Sequence, residues 1–349
     1  MITLSLALAA PQLQTFEVGA DRGHGNVLGV QMWVEPRDYR SPEALTERLG
    51  SWLEQADGRG WIGSNTVVVL PEHAGTWLVA AHEREAVVRA GSADKAMRKV
   101  VFANLWRFLG AKSKAPATDP STYAVFSMKS EQVAADYQSV LGGLAKRFGV
   151  TVVGGSILLP EPALVDGSIV VSPGAPLRNS AFVFGPEGQV IGGPVVKVFP
   201  TVDELDFTTA GEAAGLGPVQ TPAGSVGVLV CADGWFPEAH AALGEVDLLV
   251  VPQYTSVTGL WTQPWGGYSG YPEPADVDLE DIGRISESEA WLKYGPTARS
   301  EASMVMTVPL RGALWDLGAD AQARGVLEGE LWEGPLVDAP VLLNMWRTR

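Results

Sequence analysis

Short apolar runs rich in β-branched residues alternate along this chain with longer segments whose apolar residues recur at helical spacing. A continuous run such as TVVVL at residues 66–70 is typical of a strand buried on both faces. Between residues 130 and 148 the apolar positions form one helical stripe, which indicates an amphipathic helix. This alternation predicts the α/β class, with a mixed sheet and helices packed on it.

The same two patterns predict the other regular elements. Ser41 and Pro42 provide an N-cap and a first-turn proline for a helix, and a second long helix is predicted from about Ser92 to Leu109. The sequence Gly185-Pro186-Glu187-Gly188 predicts the turn of a hairpin. Further strands are predicted at residues 26–33, 151–155, 181–184, 195–198, 226–230 and 247–251.

Three segments are predicted to be loops. Residues 111–121 read as a linker, residues 160–178 are rich in Pro and Gly, and the longest segment runs from 258 to about 285. Loops as long as the third are usually either functional or disordered.

Composition limits the classes of partner. Apolar residues make up 46% of the 349 positions and charged residues 19%, as in a globular protein that can form one large domain. The formal net charge of −15 would repel a phosphate backbone, so we expect no nucleic-acid partner. No apolar stretch is long enough for an ordinary membrane span, so we expect no membrane partner.

The N-terminal residues bear on where the protein is located. Residues 1–10 are apolar with small residues, as in the core of a signal peptide, but no Lys or Arg precedes them and the run is short. We therefore expect a cytoplasmic protein. We also expect residues 1–25 to be an N-terminal extension of unknown role and residues 26–349 to form the main domain.

Three polar residues sit at or just beyond apolar β runs: Glu72, Lys197 and Cys231. Residues at the carboxyl ends of strands gather along one edge of an α/β sheet, where ligands bind. A thiolate can act as nucleophile, a carboxylate can accept the thiol proton, and an ammonium can stabilise developing negative charge. The spacing of these three residues along the sequence does not by itself show that they meet in the folded protein.

The residues after Cys231 predict a sharp strand-to-helix turn, with Pro237 in the first helical turn. Such an elbow would lift the thiol out of the sheet and leave a backbone N–H near it, and the helix N-terminus would lower the thiol pKa. Cys231 is the single cysteine, so it forms no disulfide within the chain. A structural cysteine at the end of a core strand remains an equal alternative from these local features.

Three blocks of sequence resemble those of the nitrilase superfamily, the carbon–nitrogen hydrolases. They are VVVLPEHAG around Glu72, RNSAFVFGPEGQVIGGPVVKVFPT around Lys197, and GSVGVLVCADGWFPEAHAALGEVDLLVVPQ around Cys231, in the family's order. The resemblance implies an α-β-β-α sandwich, a Glu-Lys-Cys catalytic triad and a thioester intermediate on the cysteine. It also implies a homo-oligomer and a small-molecule substrate, with neither a cofactor nor a metal.

The resemblance extends to further site residues. Glu204 follows Lys197 by seven positions, where nitrilase-branch members place a second active-site glutamate that orients the lysine or assists proton transfer. The alternative for Glu204 is a solvated charge. Ala232 would supply the oxyanion N–H, and Trp235 and His73 would reach the pocket, although His73 could equally be an ordinary loop histidine.

The two halves of the site favour different substrates. The elbow pattern C-x-D-G-x-F-P-E resembles the aliphatic amidase and formamidase branch, whereas K-x-x-P-T-x-x-E at residues 197–204 resembles nitrilases. Because Ala232 and Asp233 adjoin the reacting sulfur, we expect a small amide as substrate. A nitrile substrate, an acyltransferase and a non-catalytic relative remain alternatives. Residues 259–274 depart from the family pattern, so the sequence leaves the substrate's identity open.

Overall fold

The computed structural model describes residues 11–348. Within them the helices are α1 (Pro42–Asp57), α2 (Glu85–Val88), α3 (Ala93–Ala103), α4 (Leu105–Lys112), α5 (Pro120–Ser127), α6 (Ser130–Phe148), α7 (Pro237–Leu243), α8 (Glu287–Tyr294) and α9 (Pro296–Arg299).

The first ten strands are β1 (Gln14–Val18), β2 (Asn26–Gln31), β3 (Trp33–Val34), β4 (Thr66–Val69), β5 (Thr151–Val153), β6 (Ile157–Pro160), β7 (Ala163–Val165), β8 (Ser168–Val170), β9 (Leu177–Phe184) and β10 (Val190–Val196). The other ten are β11 (Val219–Thr221), β12 (Gly224–Val228), β13 (Leu248–Gln253), β14 (Thr255–Ser256), β15 (Met304–Pro309), β16 (Arg311–Leu314), β17 (Leu317–Asp320), β18 (Arg324–Leu327), β19 (Glu330–Glu333) and β20 (Val341–Trp346).

Two large sheets form the centre of the molecule. The first has the order β1-β20-β2-β4-β5-β9-β10, with β6 also paired to β9, and the second has the order β11-β12-β13-β15-β18-β19. Strands β2, β4 and β5 are parallel, as are β12, β13 and β15, whereas the outer pairs are largely antiparallel. Both sheets are therefore mixed, as the sequence predicted.

The two sheets pack face to face. In β4, Val67 and Val69 belong to the core between the sheets, while Val68 packs with the residues of α1 and α6 on the outer face. A Cβ atom on Gly29 would lie 2.7 Å from the sulfur of Met306 in the second sheet, so this residue permits the close approach of the sheets. Both faces of the first sheet are buried, which explains its continuous apolar runs.

Helices cover the outside of both sheets. Helices α1 and α6 contact each other over the first sheet, and α9 contacts β15 and β18 of the second. The buried Leu243 of α7 and Trp291 of α8 join the core on that side. The architecture is the predicted α-β-β-α sandwich.

Several local predictions are confirmed. The side chain of Ser41 accepts a hydrogen bond from the Ala44 amide at the start of α1, and Pro42 is the first residue of that helix. Helix α6 has the predicted bounds, and antiparallel strands β9 and β10 flank the predicted turn at residues 185–188.

The single helix predicted from Ser92 to Leu109 is wrong, because the chain forms α3 and α4 with a break at Asn104. The Asn104 amide group donates to the Glu83 carboxylate (2.8 Å) and to the Val100 carbonyl (2.9 Å). A side chain that bonds the backbone in this way competes with the regular helical pattern.

Two predicted loops also contain regular structure. Residues 160–178 include the β7–β8 hairpin, whose strands are mostly exposed and so lack a strong apolar alternation. The linker predicted at residues 111–121 is shorter than expected, because α4 extends to Lys112 and α5 begins at Pro120.

Strand β1 pairs in parallel with β20 at the edge of the first sheet. It lies within residues 1–25, whose role as an extension stays a prediction. The apolar run at residues 1–10, which we compared with a signal peptide, lies outside the described residues. None of the helices between residues 11 and 348 has both the length and the apolar character needed to cross a membrane.

Candidate active site

Three strand ends carry the predicted triad. Glu72 follows β4, Lys197 follows β10 directly, and Cys231 follows β12. The first two strands belong to the first sheet and the third to the second sheet. All three residues are buried, with exposed fractions of 1%, 2% and 7%. The group thus forms between the two sheets at one end of the sandwich.

Lys197 lies between two carboxylates. Its Nζ donates to Glu72 Oε1 at 2.8 Å and to Glu204 Oε2 at 2.6 Å. Glu204 also accepts from the backbone N–H of Thr201 at 2.8 Å, which fixes the carboxylate that holds the lysine. Glu204 is buried, so the alternative of a solvated charge does not describe it.

Asn179 in β9 joins the same network and was missed from the sequence. Its side-chain amide donates to Glu72 Oε1 at 2.9 Å and to Glu204 Oε1 at 3.1 Å. Its backbone carbonyl accepts from the Lys197 N–H at 2.8 Å. The sequence signal that could have identified Asn179 is a polar residue within an apolar strand, because the side-chain amide of a buried asparagine needs hydrogen-bond partners.

Charge coupling decides the protonation of this network. Burial opposes ionisation of Glu204. The positive charge of Lys197, a contribution from His73 and the hydrogen bonds from Lys197 and Thr201 together outweigh burial and lower the Glu204 pKa to about 2. Burial likewise opposes the charged form of Lys197, yet the charges of Glu204 and Glu72 raise the pKa of its ammonium well above the usual value. The lysine is therefore a fixed cation beside the thiol.

Cys231 occupies a strained elbow. Its backbone φ of 50° is in the left-handed region, which costs free energy for a residue other than glycine. A 3₁₀ turn runs from Cys231 to Trp235, and α7 follows with Pro237 in its first turn, as predicted. The thiol lies 3.6 Å from the carbonyl oxygen of Tyr254, to which it can donate.

The prediction of a lowered thiol pKa is wrong. Burial raises the pKa of Cys231 well above its usual value, and the negative charge of Glu72 and a hydrogen bond with that carboxylate add to the effect. Lys197 acts in the opposite direction but does not compensate. At rest the Cys231 side chain is thus a neutral thiol close to the negative charge of Glu72.

Asp233 ties the elbow to the strand end that carries Lys197, and its structural role was also missed. Its fully buried Oδ1 accepts from the backbone N–H groups of Val198 at 3.0 Å and Phe199 at 2.8 Å. Burial raises the Asp233 pKa to about 7, against the effect of these hydrogen bonds. Asp233 therefore sets the position of the thiol relative to the ammonium.

Cys231 opens into a cavity of about 350 Å³. Ala232 and Trp235, both predicted pocket residues, line it beside the thiol. Its other walls are largely aromatic, with Phe199, Phe236, Tyr254, Trp265, Tyr268 and Tyr271 among them. A larger groove of about 580 Å³ around His240 and Arg299 contains none of the triad residues.

The long segment 258–285 builds one wall of this cavity. Trp265 stacks on Trp235 with ring centroids 5.6 Å apart, and the Tyr271 hydroxyl donates to the Pro200 carbonyl at 2.9 Å. Trp261, in the same segment, packs against Trp291 and under the Arg324 guanidinium. The segment is therefore an ordered wall of the site.

His73 lies behind the network and outside the cavity lining. Its Nδ1 is 3.0 Å from the Thr76 hydroxyl, its Nε2 is 4.0 Å from Glu72 Oε1, and burial lowers its pKa. Glu72, His73 and Glu204 bring potential metal ligands within 4.8 Å of one another. Lys197 already donates to both carboxylates, so a side chain supplies the positive charge at this position.

Comparisons with known proteins agree with this architecture. Residues 60–267 match the model of the carbon–nitrogen hydrolase family. The carbon–nitrogen hydrolase from Helicobacter pylori G27 has a similar structure, with a TM-score of 0.54 and 16% identity over 92% of this chain and 88% of that one.

A mutant of the Nesterenkonia sp. AN1 amidase from the nitrilase superfamily superposes with a TM-score of 0.52 and 16% identity, over 91% of this chain and 88% of that one. A second mutant of this amidase, in complex with acrylamide, gives a TM-score of 0.50 and 16% identity over 93% of this chain and 91% of that one. A search of curated protein sequences gave no match. The family match spans more than half of the chain, and the protein belongs to the carbon–nitrogen hydrolase family.

Proposed function

We propose that this carbon–nitrogen hydrolase cleaves a small amide through a thioester on Cys231. The observation that carries the proposal is the placement of a lysine ammonium between two glutamates beside a thiol that opens into a cavity. This arrangement supplies a nucleophile, a base and a fixed positive charge within one buried network.

In the acylation step, Glu72 accepts the proton of the Cys231 thiol and the sulfur attacks the amide carbon. The developing oxyanion is stabilised by Lys197 and by the backbone N–H of Ala232. Lys197 has three N–H donors and uses two for the glutamates, which leaves the third for the oxyanion. One well-placed oxyanion donor contributes about 3 kcal/mol to transition-state stabilisation.

The tetrahedral intermediate then collapses. The carbon–nitrogen bond breaks as Glu72 returns its proton to the nitrogen, and ammonia or an amine leaves. Water attacks the thioester, Glu72 accepts a proton from it, and the carbon–sulfur bond breaks to release the acid and restore the thiol. Covalent catalysis thus divides one hydrolysis into two easier steps.

The raised pKa of Cys231 is compatible with this order of reaction steps. With Lys197 charged, two ionised glutamates and a neutral thiol give the group a net charge of −1. Ionising the thiol without moving its proton to Glu72 would add a second buried negative charge, which is costly. Transfer of the proton to Glu72 leaves the net charge unchanged, so attack and proton transfer are expected to be coupled.

Two observations favour an amide over a nitrile. The elbow at residues 231–238 resembles the aliphatic amidase branch, and it forms the wall that touches the reacting sulfur. The Nesterenkonia protein, whose structure is similar, is an amidase. An amide also needs a proton donor for its leaving group, a role that Glu72 can fill.

We infer a cytoplasmic homo-oligomer that requires neither a metal nor an organic cofactor and that does not bind nucleic acid. Because the family pairs through its helix layers, the helices that cover the sheets, such as α1 and α6, are the proposed subunit contacts. Light scattering coupled to gel filtration would give the number of subunits.

The test is a comparison of matched amides and nitriles that carry the same side chain. We expect ammonia release with a higher kcat/KM for the amide of each pair, and no turnover by Cys231→Ala. Higher kcat/KM for the nitriles across the panel would show that the substrate is a nitrile. Turnover that survives in Cys231→Ala would refute the proposed nucleophile.

A further inference from the structure

Helices α3 and α4 expose large apolar side chains. Phe102 is 83% exposed and Trp106 is 84% exposed, and they are the only aromatic side chains among the exposed large hydrophobic residues between positions 11 and 348. Leu105 and Leu109, in the same short stretch, are 42% and 45% exposed. Four such side chains within eight residues form a local patch rather than the usual scatter of single exposed residues.

The same segment is strongly basic in an acidic protein. Residues 93–114 contain six Lys or Arg and one acidic residue, a net charge of +5, whereas the whole chain carries −15. The rest of the chain therefore carries −20. Lys95, Lys99, Arg107 and Lys114 are exposed around the apolar side chains. Arg98 is also exposed and pairs with Asp94 at 2.9 Å.

An apolar groove adjoins the exposed side chains. It has a volume of about 530 Å³ and lies between α3, α4 and α5. Met97, Val101, Phe102, Leu105 and Phe126 are among its lining residues, so the patch continues inward from the surface. A flexible apolar chain could enter this groove beside Phe102.

We propose that α3 and α4 form a peripheral docking surface for an anionic lipid membrane. Aromatic and leucine side chains flanked by Lys and Arg are the composition of helices that lie in the membrane interface. Each basic residue near an anionic leaflet gains attraction to the negative surface potential. The expectation of no membrane partner rested on the absence of a membrane span, which this mode of binding does not require.

The charge of the α3–α4 surface favours an anionic membrane over a second copy of this chain as its partner. A two-fold dimer through this face would bring together two segments that each carry a net charge of +5, and like charges across an interface are unfavourable. An anionic leaflet instead complements the cations and accepts the apolar side chains in its acyl region. The acidic remainder of the molecule would face away from the membrane.

Sedimentation with vesicles tests the surface. The full chain is mixed with vesicles of phosphatidylcholine, alone or with the anionic phosphatidylglycerol, at low and high salt. We expect binding to the anionic vesicles only, weakened by salt. We expect about ten-fold weaker binding for the double variant Phe102→Ser, Trp106→Ser. The matched control is Leu331→Ser, Leu336→Ser, which removes two exposed leucines elsewhere.

A fluorescent label reports the contact directly. Because Cys231 is the single cysteine, Trp106→Cys in a Cys231→Ala background gives one labelling site for an environment-sensitive dye. We expect a blue shift on adding anionic vesicles, and no shift for a label at Leu336→Cys. Failure to bind, or equal binding to neutral vesicles, would overturn the proposal. Self-association without lipid that the Phe102 and Trp106 changes abolish would assign the face to a second copy.

Discussion

Lys197 is the residue on which the electrostatics of the site depend. It neutralises one of two buried carboxylates, and its own charge is maintained by both of them. Removing one member of such a buried group leaves the others without compensation, which costs far more than the loss of an exposed ion pair. Substitutions within this network therefore test function best when they preserve shape and change only charge.

Glu204→Gln is such a substitution. It retains an acceptor for the Thr201 N–H but weakens the contact that holds Lys197 at 2.6 Å. We expect kcat to fall on the order of ten- to hundred-fold with little change in KM, since a displaced ammonium serves the oxyanion poorly. Steady-state kinetics on the best amide would measure this, with the exposed Glu212→Gln as the matched control. An unchanged kcat would remove Glu204 from the proposed site.

Asp233 gives a prediction about stability. Asp233→Ala removes the acceptor of two buried N–H groups, so we expect the free energy of unfolding to fall by about 2–4 kcal/mol. Asp233→Asn keeps an acceptor oxygen and should lose less. Urea unfolding of both variants provides the comparison. Equal losses would mean that the hydrogen bonds of Asp233 do not stabilise the elbow.

The sequence placed the residues at the strand ends but not the residues that position them. Glu72, Lys197 and Cys231 each follow an apolar β run, a local signal. Asn179 contacts Glu72 across 107 positions and Asp233 contacts Val198 across 35. Pairings at such separations follow from the sheet order, and no local pattern encodes them.

At the scale of elements, the segment 258–285 matters most for the substrate. It contains only two short 3₁₀ turns and otherwise lacks helices and strands, yet aromatic packing and backbone contacts such as Trp265 N–H to Ile285 O fix it. It departs from the family pattern at the wall of the cavity. Substrate selection is therefore expected to depend on this segment.

Tyr271→Phe tests that wall. The change removes the hydroxyl that bonds the Pro200 carbonyl and should loosen the segment, so we expect KM to rise several-fold while kcat changes little. Tyr123→Phe is a matched control, because the Tyr123 hydroxyl also donates to a backbone carbonyl, at 2.8 Å, away from the cavity. A kcat loss without a KM change would contradict a role in substrate binding.

Elements with strong periodicity were predicted well, and weakly patterned ones were not. Strand β4 and helices α1 and α6 bury continuous or striped apolar surface, so their patterns show in the sequence. The break at Asn104 depends on Glu83, which lies outside the helix. The β7–β8 hairpin is largely exposed and has no apolar face to reveal it.

At the scale of the whole molecule, buried acids set the pH dependence of stability. The folded pKa of Glu204 is lowered to about 2, so it stabilises the fold above its ordinary pKa, and this contribution is lost as pH falls toward 2. Burial raises the pKa of Asp233 and Glu287 to about 7, so the folded state binds more protons there. Their effect reduces stability as pH rises from about 4 to about 7.

Through Asp233 and Glu287, stability should therefore be greater on the acid side of neutrality, against the opposite effect of His73 and His240, whose pKa values burial lowers. We expect a higher Tm at about pH 5.5 than at about pH 8. Between these two pH values the buried carboxyl groups of Asp233 and Glu287, whose pKa values are raised, must lose their protons. The double variant Asp233→Asn, Glu287→Gln should show a smaller difference, since neither amide titrates. Calorimetry of both proteins measures it. A Tm that rises with pH across this range would contradict the assignment.

A covalent bond between Cys231 and the acyl group of the substrate is the step on which the proposed reaction depends. Quenching the reaction during turnover and measuring the intact mass detects it directly, and peptide mapping locates the bond. We expect one acyl group on Cys231, released by neutral hydroxylamine as a thioester should be, and no adduct on Cys231→Ala. An acyl group on another residue, or turnover by Cys231→Ala, would contradict the proposed mechanism.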